Sequence, residues 1–197
     1  MLFELASNSA ATVEHRSTVR PVLCKATQEL REAFGTIKHG YEYPHTTGAN
    51  WSTHDLIAYC VDQIGACDMT AATWSCATHA ADKLITMQTS GQLTSIYMLV
   101  DWRVQVRTPG VLELAKCHFN DIRVSSCHAK AFVLMNKNWS ISYVGSANFT
   151  NNPRIECGHL STNRHTAEFH RNWIRSEIAL AKPFGMDMRK AKPDGRA

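Results

Sequence analysis

The sequence contains no long apolar segment of the kind found in membrane proteins, and its first residues do not have the pattern expected of a secretory signal. Apolar runs such as 96–100 and 131–135 have the length of strands, far below the roughly 20 residues of a membrane-spanning helix. The N-terminus carries Glu4 and Glu14 and has no basic region of the kind that begins a secretory signal. We therefore expect a soluble, cytoplasmic protein without stable membrane association.

Cysteine is present, but not in the pattern of a metal site or a disulfide framework. The seven cysteines are odd in number, and no Cys-x-x-Cys pair occurs. Most of them have apolar neighbours, which is typical of small buried thiols in a reducing compartment. A zinc site remains a weaker alternative, because structural zinc sites usually show paired, closely spaced ligands. Its ligands would be Cys76, His79, Cys117, His118, Cys157 and His159.

Charged residues are few, at 19% of the 197, whereas hydrophobic residues make up 44%. This balance excludes a disordered chain and a coiled coil, and the length suits one domain. The formal charge of +4 permits a polyanionic partner without requiring one. Basic residues are concentrated in the last third of the chain, where they form either a solvated helix face or a surface that binds anions. No internal repeat is present.

From residue 53 onward, helical and strand-like apolar patterns alternate. The patterns predict helices at 54–64, 76–89, 109–116 and 163–181, and strands at 67–74, 95–101, 121–125, 128–135, 140–144 and 155–160. The first half of this order is typical of parallel strands joined by helices, and the later strands favour a hairpin. We therefore predict a single α/β domain with a mixed, largely parallel central sheet flanked by helices on both faces.

The segments on either side of this domain are less regular. Residues 1–52 are expected to be an N-terminal arm and loop, with a loose arm over 1–20, a short helix at 24–34 and a loop rich in glycine and proline over 35–52. The basic segment 182–197 is expected to be a mobile tail. The last helix is expected to contact the core through Ala167, Trp173, Ile174 and Ile178.

The first group of candidate site residues is the pair His128 and Lys130. In a strand these two side chains would point to the same face, with Ala129 turned away. An imidazole beside an ammonium is suited to a tetrahedral anion, because histidine can act as nucleophile or acid/base while lysine neutralises phosphate oxygens. The pair therefore indicates a site for phosphoryl chemistry.

A second group of polar residues follows the predicted hairpin. The segment Gly145-Ser146-Ala147-Asn148 is expected to form a tight turn that offers backbone N–H groups, a hydroxyl and an amide to the same anion. Glu156 on the next strand is expected to hold the histidine ring by accepting a hydrogen bond from Nδ1. Each pattern is common by itself, but the ordered combination is far more specific.

This combination resembles the signature of the phospholipase D superfamily, which is His-x-Lys, four residues, Asp, six residues, then Gly-Ser-x-Asn. The matching residues are His128, Lys130, Gly145, Ser146 and Asn148. The resemblance implies that residues 53–181 form a phospholipase D-like catalytic domain. It also implies that His128 is the nucleophile and that Lys130, Ser146 and Asn148 bind the substrate phosphate, without a metal or other cofactor.

The sequence departs from the family signature in two ways. The position of the family's Asp is occupied by Met135, and no Asp or Glu occurs between Asp121 and Glu156. The spacing from His128 to Gly145 is also three residues longer than in the signature, which a longer hairpin loop absorbs. Strand parity predicts that Met135 faces away from the motif side chains and fills space as a buried residue.

The chain contains one His-x-Lys, whereas the superfamily uses two facing sets, in which one histidine attacks phosphorus and the other protonates the leaving oxygen. The sequence therefore resembles the small single-motif members, which are endonucleases that act as homodimers. This resemblance implies a metal-independent phosphodiesterase that cleaves nucleic acid, with DNA favoured over RNA. Cleavage would pass through a phosphohistidine intermediate at a site shared across the dimer.

Three other interpretations remain open. The missing acid at Met135 favours a phospholipase D-like protein that binds nucleic acid with weakened or no catalysis. A lipid phosphodiesterase shares the chemistry, but the sequence shows no amphipathic membrane helix. The third is an α/β domain in which the motif occurs by chance.

Overall fold

The computed structural model of the chain describes residues 10–15, 19–24, 30–48, 51–150 and 154–181. The expected tail at 182–197 and the first nine residues of the expected arm lie outside the described residues. The strands are β1 (Ala10–His15), β2 (Val19–Cys24), β3 (Glu42–Thr46), β4 (Cys67–Thr73), β5 (Leu93–Asp101), β6 (Asp121–Ser125), β7 (Ala131–Met135), β8 (Ser140–Gly145) and β9 (Cys157–Ser161). The helices are α1 (Leu30–Phe34), α2 (Thr53–Ile64), α3 (Thr78–Thr89), α4 (Trp102–Arg107), α5 (Pro109–His118) and α6 (Arg164–Leu180).

The described strands form one sheet in the order β2-β1-β3-β9-β8-β7-β4-β5-β6. Pairing is parallel between β4 and β5 and between β5 and β6, and antiparallel between the other neighbours. The predicted class, a single α/β domain with a mixed sheet, is confirmed. The parallel part is smaller than expected, because the chain after β6 turns back on itself as β7, β8 and β9 instead of crossing over through helices.

Helices cover both faces of the sheet, as predicted. On one face Met98 and Phe132 belong to the main core, which also holds buried residues of α1, α2, α3 and α5. On the other face Leu99 and Ala131 pack with Ile174 of α6. Successive residues of a strand therefore enter different cores, since side chains alternate between the two faces of a sheet.

The N-terminal region is more regular than its composition predicts. The stretches 10–15 and 19–24, expected as a loose arm and the start of a helix, pair with each other as β1 and β2, and β1 continues the sheet beside β3. Strand β3 lies inside the expected loop, where Tyr43 and His45 are buried on either side of Pro44. The burial of these two rings outweighs the N–H donor that proline lacks, so the prediction of a loose arm and an irregular loop is wrong for these stretches.

Side-chain caps fix where α2 and α6 begin. The Ser52 N–H donates to Asp55 Oδ2 at 3.0 Å, and the Asp55 N–H donates to the Ser52 carbonyl oxygen at 3.0 Å. At the start of α6, Asn163 Oδ1 accepts from the His165 N–H at 2.9 Å. Caps of this kind are worth about 1 kcal/mol each.

Candidate active site

The motif residues lie at one edge of the sheet, where β4, β5 and β6 end and β7 begins. Ala131 at the start of β7 is paired with Ala72 near the end of β4 and with Val144 near the end of β8. Gly145 is paired with Gly158 in β9. The segments that precede β7 and follow β8, which carry the motif, therefore meet at this edge.

His128 and Lys130 lie side by side immediately before β7. Lys130 Nζ donates to the His128 carbonyl oxygen at 2.7 Å and lies 3.4 Å from Nδ1 of the imidazole. His128 is exposed and Lys130 is half-buried. Burial lowers the pKa of Lys130, and a partly desolvated ammonium interacts more strongly with a bound anion than a fully hydrated one.

The two side chains are brought together by loop contacts and not by strand alternation. Strand β7 begins at Ala131, so both motif residues precede it. The Gly145 N–H donates to the Lys130 carbonyl oxygen at 3.1 Å. The Cys127 N–H donates to Asp101 Oδ2 at 3.1 Å. These two bonds hold both ends of the segment. His128 and Lys130 are neighbours as predicted, but the strand alternation from which this was predicted is absent.

Ser146 and Glu156 form a second pair at this edge. Ser146 Oγ donates to Glu156 Oε2 and accepts from the Cys157 N–H at 3.0 Å. Ser146 is exposed and Glu156 is half-buried. The serine hydroxyl is therefore oriented by a carboxylate, while the expected bond from His128 Nδ1 to Glu156 stays a prediction.

The turn after β8 differs from the expected anion-binding turn. The N–H groups of Gly145, Ser146 and Phe149 all donate to backbone carbonyl oxygens, so these three donors are already used within the fold. Asn148 is half-buried, and its carbonyl oxygen accepts from Thr53 Oγ1 at 3.1 Å. Its Oδ1 is buried and has no hydrogen-bond partner among the described residues. Two of the four N–H groups of the expected turn, those of Gly145 and Ser146, are therefore not available to an anion.

Gly145 is required by the ring of Tyr143. A Cβ at Gly145 would lie 2.2 Å from the Tyr143 hydroxyl oxygen and 2.7 Å from the Cys157 carbonyl oxygen. Its partner Gly158 faces the same ring, since a Cβ there would lie 2.4 Å from Tyr143 Cε2. The motif glycine therefore provides space for a buried tyrosine. Its φ is not positive, so glycine is needed here for space and not for a left-handed backbone conformation.

A cavity of about 430 Å³ lies between the motif segment and helix α6. Its lining residues are His128, Ala129, Lys130, Ala131, Val144, Gly145, Ser146, His170 and Trp173. Trp173 is half-buried and packs against the core of Ile174 and Ile178, as predicted, and it also lines this cavity. Ala167, Ile174 and Ile178 are buried as predicted. Asn148 and Glu156 are not part of this lining.

His170 was not identified from the sequence, because nothing in the spacing of α6 connects it to His128. The Trp173 Nε1–H donates to His170 Nδ1 at 3.1 Å. Burial lowers the pKa of His170, so its neutral form is favoured. With Nδ1 acting as acceptor, the neutral ring carries its proton on Nε2.

Basic residues surround Trp74, which directly follows β4. The Cζ atoms of Arg103 and Arg107 lie 5.5 Å and 5.3 Å from its ring centroid, and Lys130 Nζ lies 5.7 Å away. The ring centroids of Trp74 and His128 are 5.5 Å apart. This arrangement, which we call the Trp74 cluster, is an aromatic surface with several cations beside the candidate nucleophile. The sequence did not reveal it, because helix α4 is too short for a periodic pattern.

Met135 lies at the opposite end of β7 from the motif pair. It is half-buried and not fully buried as expected. At about 3.4 Å per residue, five residues of strand separate it from Lys130 by roughly 17 Å. The residue at this position is therefore outside the candidate site.

The described residues contain no group of three or more His, Cys, Asp or Glu side chains that could hold a metal ion. The six Cys and His residues considered above as zinc ligands therefore do not come together as such a group in the described part of the chain. Within the same part of the chain, no helix has the length and apolar character needed to cross a bilayer.

Comparison with known proteins finds no matching family model and no matching curated protein. Solved structures do match. The phospholipase D family member Nuc from Salmonella typhimurium is 16% identical with a TM-score of 0.50, over 64% of this chain and 87% of that one. NucT from Helicobacter pylori is 12% identical with a TM-score of 0.54, over 66% and 91%. Polyphosphate kinase from Porphyromonas gingivalis is 12% identical with a TM-score of 0.52, over 74% of this chain and 27% of that one. The fold of the chain is thus that of a phospholipase D family structure.

Proposed function

We propose that the protein is a metal-independent phosphodiesterase that cleaves nucleic acid, with DNA favoured over RNA. The observation that carries this proposal is the position of His128 and Lys130, 3.4 Å apart at the sheet edge, within a fold similar to that of a phospholipase D family member. The Trp74 cluster beside them favours a polyanion with aromatic bases over a lipid. The fold alone does not decide the substrate.

In the proposed first step, Nε2 of His128 attacks phosphorus. The phosphorus–oxygen bond to the leaving nucleoside breaks, and the leaving oxygen keeps the electron pair and takes a proton from a second histidine. Lys130 neutralises the non-bridging oxygens, assisted by the amide of Asn148 and by Ser146, whose hydroxyl would turn from Glu156 to the phosphate. Lys130 lies beside Nδ1, which supports the assignment of Nε2 as the attacking atom.

In the second step, the second histidine takes a proton from water, and the water oxygen attacks phosphorus. The phosphorus–nitrogen bond breaks, which restores His128 and releases a terminal phosphate. Glu156 has a positioning role in the proposal, either on the His128 ring as the sequence predicts or through Ser146, to which it is hydrogen-bonded.

The second histidine is proposed to be His128 of the partner subunit in a homodimer. The chain contains one His-x-Lys, and His128 is exposed at the sheet edge, where a two-fold neighbour can approach it. Sedimentation should therefore give the mass of a dimer at micromolar concentration. A strict monomer that still cleaves would refute the shared site.

A phospholipase D-like protein that only binds nucleic acid is the second candidate, favoured by methionine at the position of the family's Asp. Met135 lies outside the site, so methionine in place of the family's Asp removes no group near His128. This location favours the first candidate, the phosphodiesterase. The two candidates differ in whether bound nucleic acid is cut.

The deciding experiment incubates labelled single- and double-stranded DNA and RNA with the protein in EDTA. Cleavage should persist in the chelator and disappear in His128→Asn. The matched control is His118→Asn, because His118 is exposed at the end of α5, just before β6 starts at the opposite end of the sheet. Binding without cleavage by the native protein would select the second candidate. Cleavage by His128→Asn at the native rate would remove His128 from the mechanism.

A further inference from the structure

The cavity beside His128 contains more than a phosphate site requires. A phosphate needs a cation and hydrogen-bond donors, and the Lys130 ammonium supplies both. Apart from His128, Ser146 and His170, the remaining lining residues are apolar or glycine, and they include Trp173. A volume of about 430 Å³ falls within the range of roughly 300–1,000 Å³ that small-molecule sites occupy. The cavity therefore has room for a flat organic group next to the phosphate.

We propose that this cavity holds one unpaired nucleobase next to the scissile phosphate, stacked on Trp173 and hydrogen-bonded by His170. The proposal rests on the proposed function and names its substrate class, which is a single strand or a strand with a displaced base. A base inside a duplex is stacked on both faces and cannot enter a cavity in the protein.

Trp173 provides the stacking surface, and its own contacts orient His170. The indole N–H donates to Nδ1 of His170 at 3.1 Å, so the neutral ring presents an Nε2–H donor. Every nucleobase has carbonyl oxygens or ring nitrogens that accept from such a donor, and every base has a face that stacks. We therefore expect this cavity to require a base without selecting one base strongly.

His170 is better suited to this role than to protonating the leaving group. The burial that lowers its pKa keeps the ring neutral near pH 7, and a neutral imidazole is a very weak acid. A neutral imidazole N–H is nevertheless a good hydrogen-bond donor. The assignment of His170 to binding also leaves the second histidine of the mechanism to be supplied by the partner subunit.

The Trp74 cluster supports a strand that extends past the cavity. His128 borders both the cavity and Trp74. A polynucleotide with its scissile phosphate at His128 would therefore place one neighbouring base in the cavity and the neighbouring phosphates near Arg103 and Arg107. Cations that follow a strand beside aromatic side chains are typical of single-strand binding surfaces.

The test uses a labelled single-stranded oligonucleotide with one internal abasic site. Each molecule then contains normal bonds and bonds that flank the missing base, and their cleavage is compared in the same lane. In the native protein, cleavage at one bond flanking the abasic site should fall by about 5- to 150-fold, which is the contribution of one stacked base. Equal cleavage at all bonds would overturn the proposal.

Two substitutions of Trp173 connect this effect to the cavity. Trp173→Ala should bring the ratio of normal to abasic cleavage close to one, whereas Trp173→Phe retains a ring and should keep most of the discrimination. The control is Trp139→Ala, because Trp139 is a half-buried indole in the hairpin at the other end of β7, stacked on His39. Discrimination that survives in Trp173→Ala, or disappears in Trp139→Ala, would contradict the proposal.

A binding measurement separates this inference from the proposed function. Fluorescence anisotropy of labelled oligothymidylate and of a fully abasic chain of equal length, both with native protein in EDTA on ice, reports the contribution of the bases. If the native protein binds oligothymidylate more tightly, Trp173→Ala loses that difference, and neither protein cleaves, the cavity proposal is supported and the proposed enzyme activity is refuted. If the native protein cleaves both chains and binds them equally, the proposed phosphodiesterase activity is supported and the cavity proposal is refuted.

Discussion

The requirement for glycine at position 145 leads to a prediction that tests the geometry of the site. Gly145→Ala adds a single Cβ, which would lie 2.2 Å from the hydroxyl oxygen of Tyr143 and 2.6 Å from its Cζ. The ring cannot easily move aside, because it is stacked between Phe132 and His45, with ring centroids 5.0 Å and 5.8 Å away. The third contact, at 2.7 Å, is with the backbone oxygen of Cys157.

The magnitude follows from how far the backbone must yield. An ordinary van der Waals contact begins near 3.4 Å, so the strand end must move by about 1 Å if the ring stays in place. Overpacking of a well-filled core costs typically 1–3 kcal/mol, and we expect about 3 kcal/mol because both obstacles are rigid. The Gly145 N–H holds the Lys130 carbonyl oxygen, so the shift reaches the candidate site. A displacement of 1 Å can lower activity about 100-fold.

Urea unfolding and oligonucleotide cleavage measure the two effects separately. The control is Gly110→Ala, since Gly110 lies in α5 with nothing within 4 Å of an added Cβ. Alanine is the better helix former, so this variant should gain about 0.5–1 kcal/mol and cleave normally. If Gly145→Ala has native stability and native cleavage, the tyrosine packing does not set the position of Lys130, and the reasoning is refuted.

Three further predictions concern the surface, the sheet and the response to acid. Arg107→Ala should reduce the slope of log affinity against log salt for a single strand by about 0.7, as expected for one lost phosphate contact. Arg31→Ala, which removes an exposed arginine paired with Asp62 at 3.1 Å, should leave that slope unchanged. Equal slopes in both variants would show that the Trp74 cluster does not contact the phosphates of the bound strand. Met135→Ala should cost only about 1 kcal/mol, below the 2–5 kcal/mol of a fully buried methionine, with cleavage unchanged; a loss of cleavage in the folded variant would place Met135 in the site. Burial lowers the pKa of His45 to about 4 from 6.5, so the unfolded chain takes up a proton there first as pH falls below 6.5, and His45 alone should lower the free energy of unfolding by roughly 3 kcal/mol between pH 7 and pH 4. His45→Phe should reduce that loss in urea titrations, and an unchanged pH dependence would contradict it.

Periodicity predicted the part of the fold in which local patterns and burial agree. Strand β6 has the predicted bounds, and α2 and α6 lie within one residue of theirs. The prediction failed for β3, whose proline and flanking glycines indicate a loop, because the burial of Tyr43 and His45 depends on partners in β9 that are more than 100 residues away. A single-sequence pattern contains no information about those partners.

The candidate site shows the same division between local and distant determinants. His128 and Lys130 were predicted as neighbours because they are two residues apart, and this spacing brings them together in a loop as well as in a strand. The place of Arg107 and Trp173 in the site could not be predicted, since they reach the same edge on α4 and α6 and are separated from the motif by 20 residues or more in sequence.

This division bears on how substrate choice can change while the chemistry is kept. The groups proposed to act on the phosphate lie in one short segment and one turn, held by backbone bonds such as that between the Gly145 N–H and the Lys130 carbonyl oxygen. The groups proposed to contact the rest of the substrate lie on α4 and α6, whose exposed residues do not take part in those bonds. Substitutions at Trp173 or Arg107 should therefore alter which strands are bound without disturbing the position of Lys130. Substitutions at Gly145 should do the opposite, because they displace the phosphate-binding side chain and leave the helices in place.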